Sequence, residues 1–134
     1  MIRVNISGGS IYEPKVGYSR AVLVGSSIHI SGTTASSRGG PLLPDAGKQT
    51  TEILHIIKAV LEENGSCIED VVRTRIFVVD ISKNSAAVGD AHGKVFSNIR
   101  PASSMIGIAA LIDEKMLVEI EADAVIGCGR KASE

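Results

Sequence analysis

The chain has 134 residues, a formal net charge of −1 and 44% hydrophobic residues. That length fits one domain over residues 1–134 with a core that needs no covalent staples, and two Phe, two Tyr and no Trp make the core aliphatic. The near-neutral charge disfavours a nucleic-acid partner held by bulk electrostatics.

Cys67 and Cys128 are far apart in sequence and form no C-x-x-C, so they read as free thiols in a reducing compartment. No apolar run reaches the ~18 residues of a membrane span, and residues 1–5 do not resemble a secretory leader. The expectation is a soluble cytoplasmic protein with no membrane contact.

In chain order, residues 2–6 read as a short strand ended by Ser7-Gly8-Gly9-Ser10. Residues 17–24 and 27–34 read as a hairpin turning at Gly25-Ser26-Ser27. Residues 34–43, with Gly39-Gly40-Pro41, are a loop. From 45 to 64 the period becomes helical: Ile53, Ile56, Ile57, Val60 and Leu61 form a buried stripe, Asp45 is the N-cap and Asn64-Gly65 the stop. Ser66-Cys67-Ile68-Glu69 has capping-box spacing for one helical turn. Residues 71–80 are the clearest strand. Its alternation puts Val72, Thr74, Ile76 and Val78 on one face, and Val71, Arg73, Arg75, Phe77 and Val79 on the other.

Ser82 caps a second helix running to about residue 98, with Val88, Ala91, His92, Val95 and Phe96 as its stripe. Arg100-Pro101 ends it. Residues 104–111 and 116–127 are strands joined by a turn at 112–115, and 128–134 is a frayed tail. In the last strand Val118, Ile120, Ala122 and Ala124 share one face, and Glu119, Glu121 and Asp123 share the other. The order is β, β, β, α, β, α, β, β. Crossovers of one hand place both helices on one sheet face, giving an α+β fold. The other face is left bare, with Arg73 and Arg75 available to pair with the acids if their strands are neighbours. A bare face that still holds Phe77 and Val79 points to a subunit interface.

Several blocks now stand in order: Gly17-Tyr18-Ser19-Arg20-Ala21-Val22, Ile30-Ser31-Gly32, the strand from Val71 to Asp80, Arg100-Pro101-Ala102-Ser103-Ser104, and Val118-Glu119-Ile120-Glu121-Ala122. Over roughly residues 10–126 they resemble the Rid family of reactive-intermediate deaminases, also called the YjgF or L-PSP family. The resemblance implies a chorismate-mutase-like α+β fold, with homotrimers whose sheets line a central barrel and whose clefts lie between subunits. It implies hydrolysis of enamines and imines such as 2-aminoacrylate to a 2-oxo acid and ammonia, with no cofactor. Carried over by position, Tyr18 lines the cleft, the Ser31-Gly32 backbone bonds the ligand and Glu119 positions the attacking water. Deaminating members of the family have an arginine in a Pro-Ala-Arg-Ser loop that clamps the substrate carboxylate. Ser103 stands there in this chain, and a helix asparagine of those members is replaced by Gly89. Residues 111–119 also run one residue longer. A hydroxyl cannot replace a planar, bidentate cation.

Other residues carry competing readings. Glu119 is either a base acting on water or a partner for Arg73 or Arg75. Arg20, two residues after Tyr18, can point into the same cleft and supply the missing cation. Arg100 can do so from the loop. The alternative for both is a solvated surface arginine. His92 reads as a packed core or interface residue rather than a base, and His29 and His55 read as structural. No His pair with a third donor has metal-ligand spacing, so no metal is expected. The two cysteines have no neighbouring motif His, and Gly8-Gly9 and Gly39-Gly40 lack the context of a phosphate cradle. The leading expectation is a C=N hydrolase with an altered substrate. The alternatives are a trimer that binds a small metabolite without chemistry and, more weakly, an endoribonuclease or translation inhibitor.

Overall fold

The computed structural model describes residues 1–129. Its strands are β1 (Arg3–Ile6), β2 (Ala21–Val24), β3 (Ser27–Thr33), β4 (Val71–Val79), β5 (Ala102–Ile108) and β6 (Val118–Val125); its helices are α1 (Ala46–Glu63) and α2 (Ile81–Phe96). They form one six-stranded sheet in the order β1-β2-β3-β6-β4-β5. Only β4 and β5, joined through α2, are parallel. The last strand is therefore central, paired antiparallel with β3 on one side and β4 on the other.

Alternation in β6 sets the layers. Val118, Ile120, Ala122 and Ala124 are each at most 1% exposed. They join Ile28 and Ile30 of β3, and Ile76 and Val78 of β4, under the two helices. The residues between them stay half-exposed on the open face. Helix α1 forms as its period demands. Ile53, Ile57, Val60 and Leu61 are buried, and the Asp45 carboxylate accepts from Lys48 N–H at 2.9 Å, a cap worth about 1 kcal/mol. Gly65 follows with φ +78°, the left-handed stop that glycine supplies.

The expected α+β architecture, with two helices on one face, is the one observed. Five local expectations change. The strand expected at 71–80 carries a bulge. Val71 pairs with Ala124 and Arg73 with Asp123, so Val72 is the extra residue. Parity inverts there, and Val71 is buried (3%) while Val72 is 41% exposed. The N-cap of α2 is Asp80, held at φ 52°, rather than Ser82. The segment before β2 does not extend a strand back to residue 17. Glu13–Gly17 instead winds one π-helical turn, and the Glu13 carboxylate takes the N–H groups of Gly8 and Ser10. Ser66 does not cap the short turn at Ile68–Asp70, but donates to the Asp70 carboxylate at 2.7 Å. Finally, the start of the expected tail is tied down. Gly129 N–H donates to Asp70 at 2.9 Å and the Cys128 thiol lies 3.4 Å from the Asp70 carbonyl. The rest of that tail lies outside the described residues. Both cysteines are unbridged.

One buried residue escaped the apolar stripe. Gln49 lies one helical turn before Ile53 and is 1% exposed. Its amide donates to the carbonyls of Leu43 (2.7 Å) and Lys115 (2.9 Å) and accepts from Leu117 N–H (2.9 Å). It thus pins the loops before α1 and before β6 to each other. Gln49→Ala leaves these backbone groups buried and unpaired. It is expected to cost on the order of 3 kcal/mol, read as a lower urea midpoint at an unchanged m-value.

Candidate active site

Glu119 owes its position to two features of the sheet. Alternation in β6 sends its carboxyl to the open face, opposite Phe77 of β4. On the other side, β3 carries a bulge. Ile30 pairs with Ala122 and Thr33 with Ile120, so Ser31 and Gly32 together face one residue of β6. A Cβ at Gly32 would sit 2.7 Å from Glu119 Oε1. The Glu119 side chain thus lies against the bare Gly32 backbone, where only glycine leaves room for it.

The charges around Glu119 are unevenly placed. Burial raises its pKa above the ordinary carboxylate value, the neighbouring Glu121 raises it further, and Arg20 pulls in the opposite direction. Arg20 does not neutralise it by a direct ion pair among the described residues. Its Nη2 donates to the Gly32 carbonyl at 2.7 Å, and its Nε is buried with no partner among the described residues. Burial lowers the Arg20 pKa, while Tyr18, Glu13 and Glu119 favour its charged form.

The other singled-out residues fall into separate places. Tyr18 and Ser31 line a surface hollow of about 430 Å³ with Asn5, Glu13 and Val22. Tyr18 Oη is 3.5 Å from Ser10 Oγ, and Ser31 Oγ donates to the Ser19 carbonyl at 2.6 Å. Arg20 lines a different hollow, of about 550 Å³, with Gly8, Ser37, Arg38 and Glu63. Tyr18 and Arg20 therefore do not share one cavity. The reason is the π-helical turn: Tyr18 leaves it before β2 begins, so the two residues never stand on one regular strand. Arg100 is exposed at φ 57°, its N–H donating to the Phe96 carbonyl at 2.7 Å.

Ser103 is not in a loop. It is the second residue of β5, paired in parallel with Thr74, and its Oγ is 2.8 Å from Thr74 Oγ1. Glu119 and Ser103 are thus on opposite faces of the sheet within one chain. Sequence reasoning gave no role to Thr74. The available signal was a lone hydroxyl among the aliphatic residues on the covered face of that strand. Of the open-face acids, Asp123 bonds His29 at 2.8 Å and Arg75 at 3.3 Å, while Glu121 reaches Arg75 at 3.7 Å. Arg75, but not Arg73, makes the expected cross-strand pairs among the described residues. Such half-exposed pairs contribute less than about 1 kcal/mol each. Among the described residues no group of three or more His, Cys, Asp or Glu could hold a metal ion, and no helix is long and apolar enough to cross a membrane.

Comparison with known proteins gives a consistent picture. The model of the family described as endoribonuclease L-PSP matches residues 10–126. A Mycobacterium tuberculosis structure of the YjgF/YER057c/UK114 family is 44% identical, with TM-score 0.83, covering 93% of this chain and 100% of that one. A Yersinia pestis structure described as a protein of unknown function of the conserved Rid family is 30% identical, with TM-score 0.80 and coverage of 93% and 100%. A Dermatophagoides farinae protein named 2-iminobutanoate/2-iminopropanoate deaminase is 32% identical over 120 residues, 85% of this chain and 89% of that one.

The Gly32 contact is directly testable. In Gly32→Ala the new methyl displaces the flexible end of Glu119 rather than backbone. The carboxyl swings toward solvent, and its raised pKa falls back toward the ordinary carboxylate value. Carboxyl carbon NMR titration of the two proteins measures that fall.

Proposed function

The chain belongs to the L-PSP (YjgF, Rid) family, and from that membership and the setting of Glu119 we propose that it hydrolyses the C=N bond of a small imine or enamine. The observation that carries the reading is the half-buried Glu119 carboxyl against the Gly32 bulge, with its pKa raised and no direct ion pair among the described residues. A carboxylate whose affinity for a proton is increased is a better base toward water than a solvated one. In this reading Glu119 takes a proton from water as the oxygen adds to the imine carbon. It then returns that proton to the departing amine. Tyr18, Ser31 and Gly32 position the substrate. No cofactor enters the scheme.

Ser103 alters what the substrate can be. The position lacks a cation, Arg20 is engaged with the Gly32 carbonyl, and Arg100 is on the surface. A substrate without an α-carboxylate fits this arrangement best. The homotrimer belongs to the same proposal. Glu119 and Ser103 face opposite sides of one sheet, so a cleft containing both takes two copies. The open face, with Val72 41% and Ile106 42% exposed and Phe77 half-buried, offers apolar surface to a neighbour. A second reading, a trimer that binds a metabolite without chemistry, draws support from the absence of a clamping cation at Ser103. Ligand-induced thermal shifts without turnover across a metabolite panel would favour it.

Turnover of 2-aminoacrylate and of imines without a carboxylate tests the main reading. Glu119→Ala should lower the rate by about 10²-fold or more, and no acceleration by the wild type for any imine would overturn it. The rate should fall with decreasing pH through an apparent pKa above the ordinary glutamate value. The same shift has a stability signature. Glu119 binds its proton more tightly folded than unfolded. Its contribution is therefore fully present below the ordinary carboxylate pKa and lost as pH rises through the raised value. Glu119→Gln should accordingly melt higher than wild type at pH 8 while losing turnover.

A further inference from the structure

On the covered face of β4, Thr74 is completely buried (0% exposed) among aliphatic residues, yet its hydroxyl is fully used. Oγ1 lies 2.8 Å from Ser103 Oγ on one side and 2.9 Å from His92 Nε2 on the other. The three side chains form a continuous hydrogen-bonded path. It runs from an exposed serine on β5, through a dry threonine, to an imidazole on α2. The His92 ring is held against Phe96, with centroids 4.6 Å apart. The groups that face His92 from β4 and β5 along this path are uncharged hydroxyls. Burial is the sole cause of its pKa lying below the ordinary 6.5. Burial thus favours the neutral imidazole, which in the tautomer protonated at Nδ1 accepts at Nε2.

With His92 as the acceptor, Thr74 donates to it and Ser103 donates to Thr74. The Ser103 lone pairs are then left toward solvent. This is the logic of a base-activated serine with one hydroxyl interposed. The location suits such a group. Among the described residues β5 is the outermost strand, so the backbone N–H groups on its outer side have no strand partner there, and these are donors of the kind that steady an oxyanion.

We propose that Ser103 is a nucleophile toward small activated acyl groups such as aryl esters, with Thr74 as the relay and His92 as the base. Ser103 Oγ bonds to the carbonyl carbon. Its proton passes to Thr74 Oγ1 as the Thr74 proton passes to His92 Nε2. The ester C–O bond breaks and the phenolate leaves with its electron pair. The imidazolium then gives its proton to solvent. Water adds to the acyl carbon as one of its protons passes through Thr74 Oγ1 to His92 Nε2, and the bond from the acyl carbon to Ser103 Oγ breaks as that proton returns along the same path to Ser103, releasing the carboxylic acid. The activity uses neither Glu119 nor an imine, so it goes beyond the C=N reading and can fail or succeed without it.

The test is covalent labelling with a fluorophosphonate probe, located by peptide mass spectrometry, alongside the p-nitrophenol burst from p-nitrophenyl acetate. The adduct is expected on Ser103 and absent from Ser103→Ala. Thr74→Val keeps the side chain's shape and removes the relay, so labelling should slow by about 10²-fold, with Thr74→Ser restoring it. His92→Gln keeps a hydrogen-bonding group without the base and should slow labelling similarly. Circular dichroism checks that each variant is folded. Should Thr74→Val not fold, His92→Gln decides. An unlabelled wild type, an adduct elsewhere, or relay and base variants that label like wild type would each overturn the proposal.

Discussion

The strand β6 must keep one face dry and the other wet, and the rest of the molecule follows from that division. Val118, Ile120, Ala122 and Ala124 can be buried only if helices cover their side of the sheet, and both helices lie there. Period-two geometry then sends Glu119, Glu121 and Asp123 to the opposite face. Because β6 is central, its acids cannot escape to an edge. Their partners must come from β3 and β4, and His29 and Arg75 supply them. Glu119, farthest along the row from those partners, is left without an ion pair among the described residues. Burial, reinforced by Glu121 and opposed by Arg20, raises its pKa and gives it a chemical candidacy, while Glu121 and Asp123 serve as structural pair members.

Two bulges convert this regular frame into a site. A Cβ on residue 32 would sit 2.7 Å from Glu119 Oε1 and displace the carboxyl. The extra residue at Ser31-Gly32 brings a glycine to that point, and the side chain settles against backbone. The bulge at Val72 acts differently. It restores the pairing of Arg73, Arg75 and Phe77 with the acid row while allowing Val71 to join the core. Both irregularities cost ladder regularity, and both lie where the open face carries its charges.

The layers and the helix α1 were legible in the sequence because they rest on periodicity, which a single chain displays in full. The residues that break the period were not. Nothing in Val71-Val72-Arg73 distinguishes the extra residue, since two adjacent valines fit either face. Likewise Pro101-Ala102-Ser103-Ser104 has loop composition. It is a strand because β4 pairs with it along its length, so its structure comes from a partner rather than from its own side chains. Tyr18 and Arg20 looked like strand neighbours because the π-helical turn before them leaves no hydrophobic signature. Glu119 could be singled out in advance only through its match to the family's glutamate, because alternation alone places it in one row with Glu121 and Asp123. The Ser103–Thr74–His92 path could not, because its members are 29 and 18 residues apart and meet only when β4, β5 and α2 are assembled.

That path also bears on what the replacement at Ser103 means physically. A guanidinium is a fixed charge whose value lies in bidentate contact with an anion. A serine in its place provides no such contact, and by subtraction alone the site would only be weaker. Here the hydroxyl is not left idle, since it continues into a buried threonine and a neutral imidazole. On the proposed relay, this position moves a proton where a guanidinium would only hold an anion. Glu119, on the opposite face, has its own raised pKa. On these two proposals one chain carries two proton-handling centres separated by the sheet, and a homotrimer would decide whether they address one ligand or two.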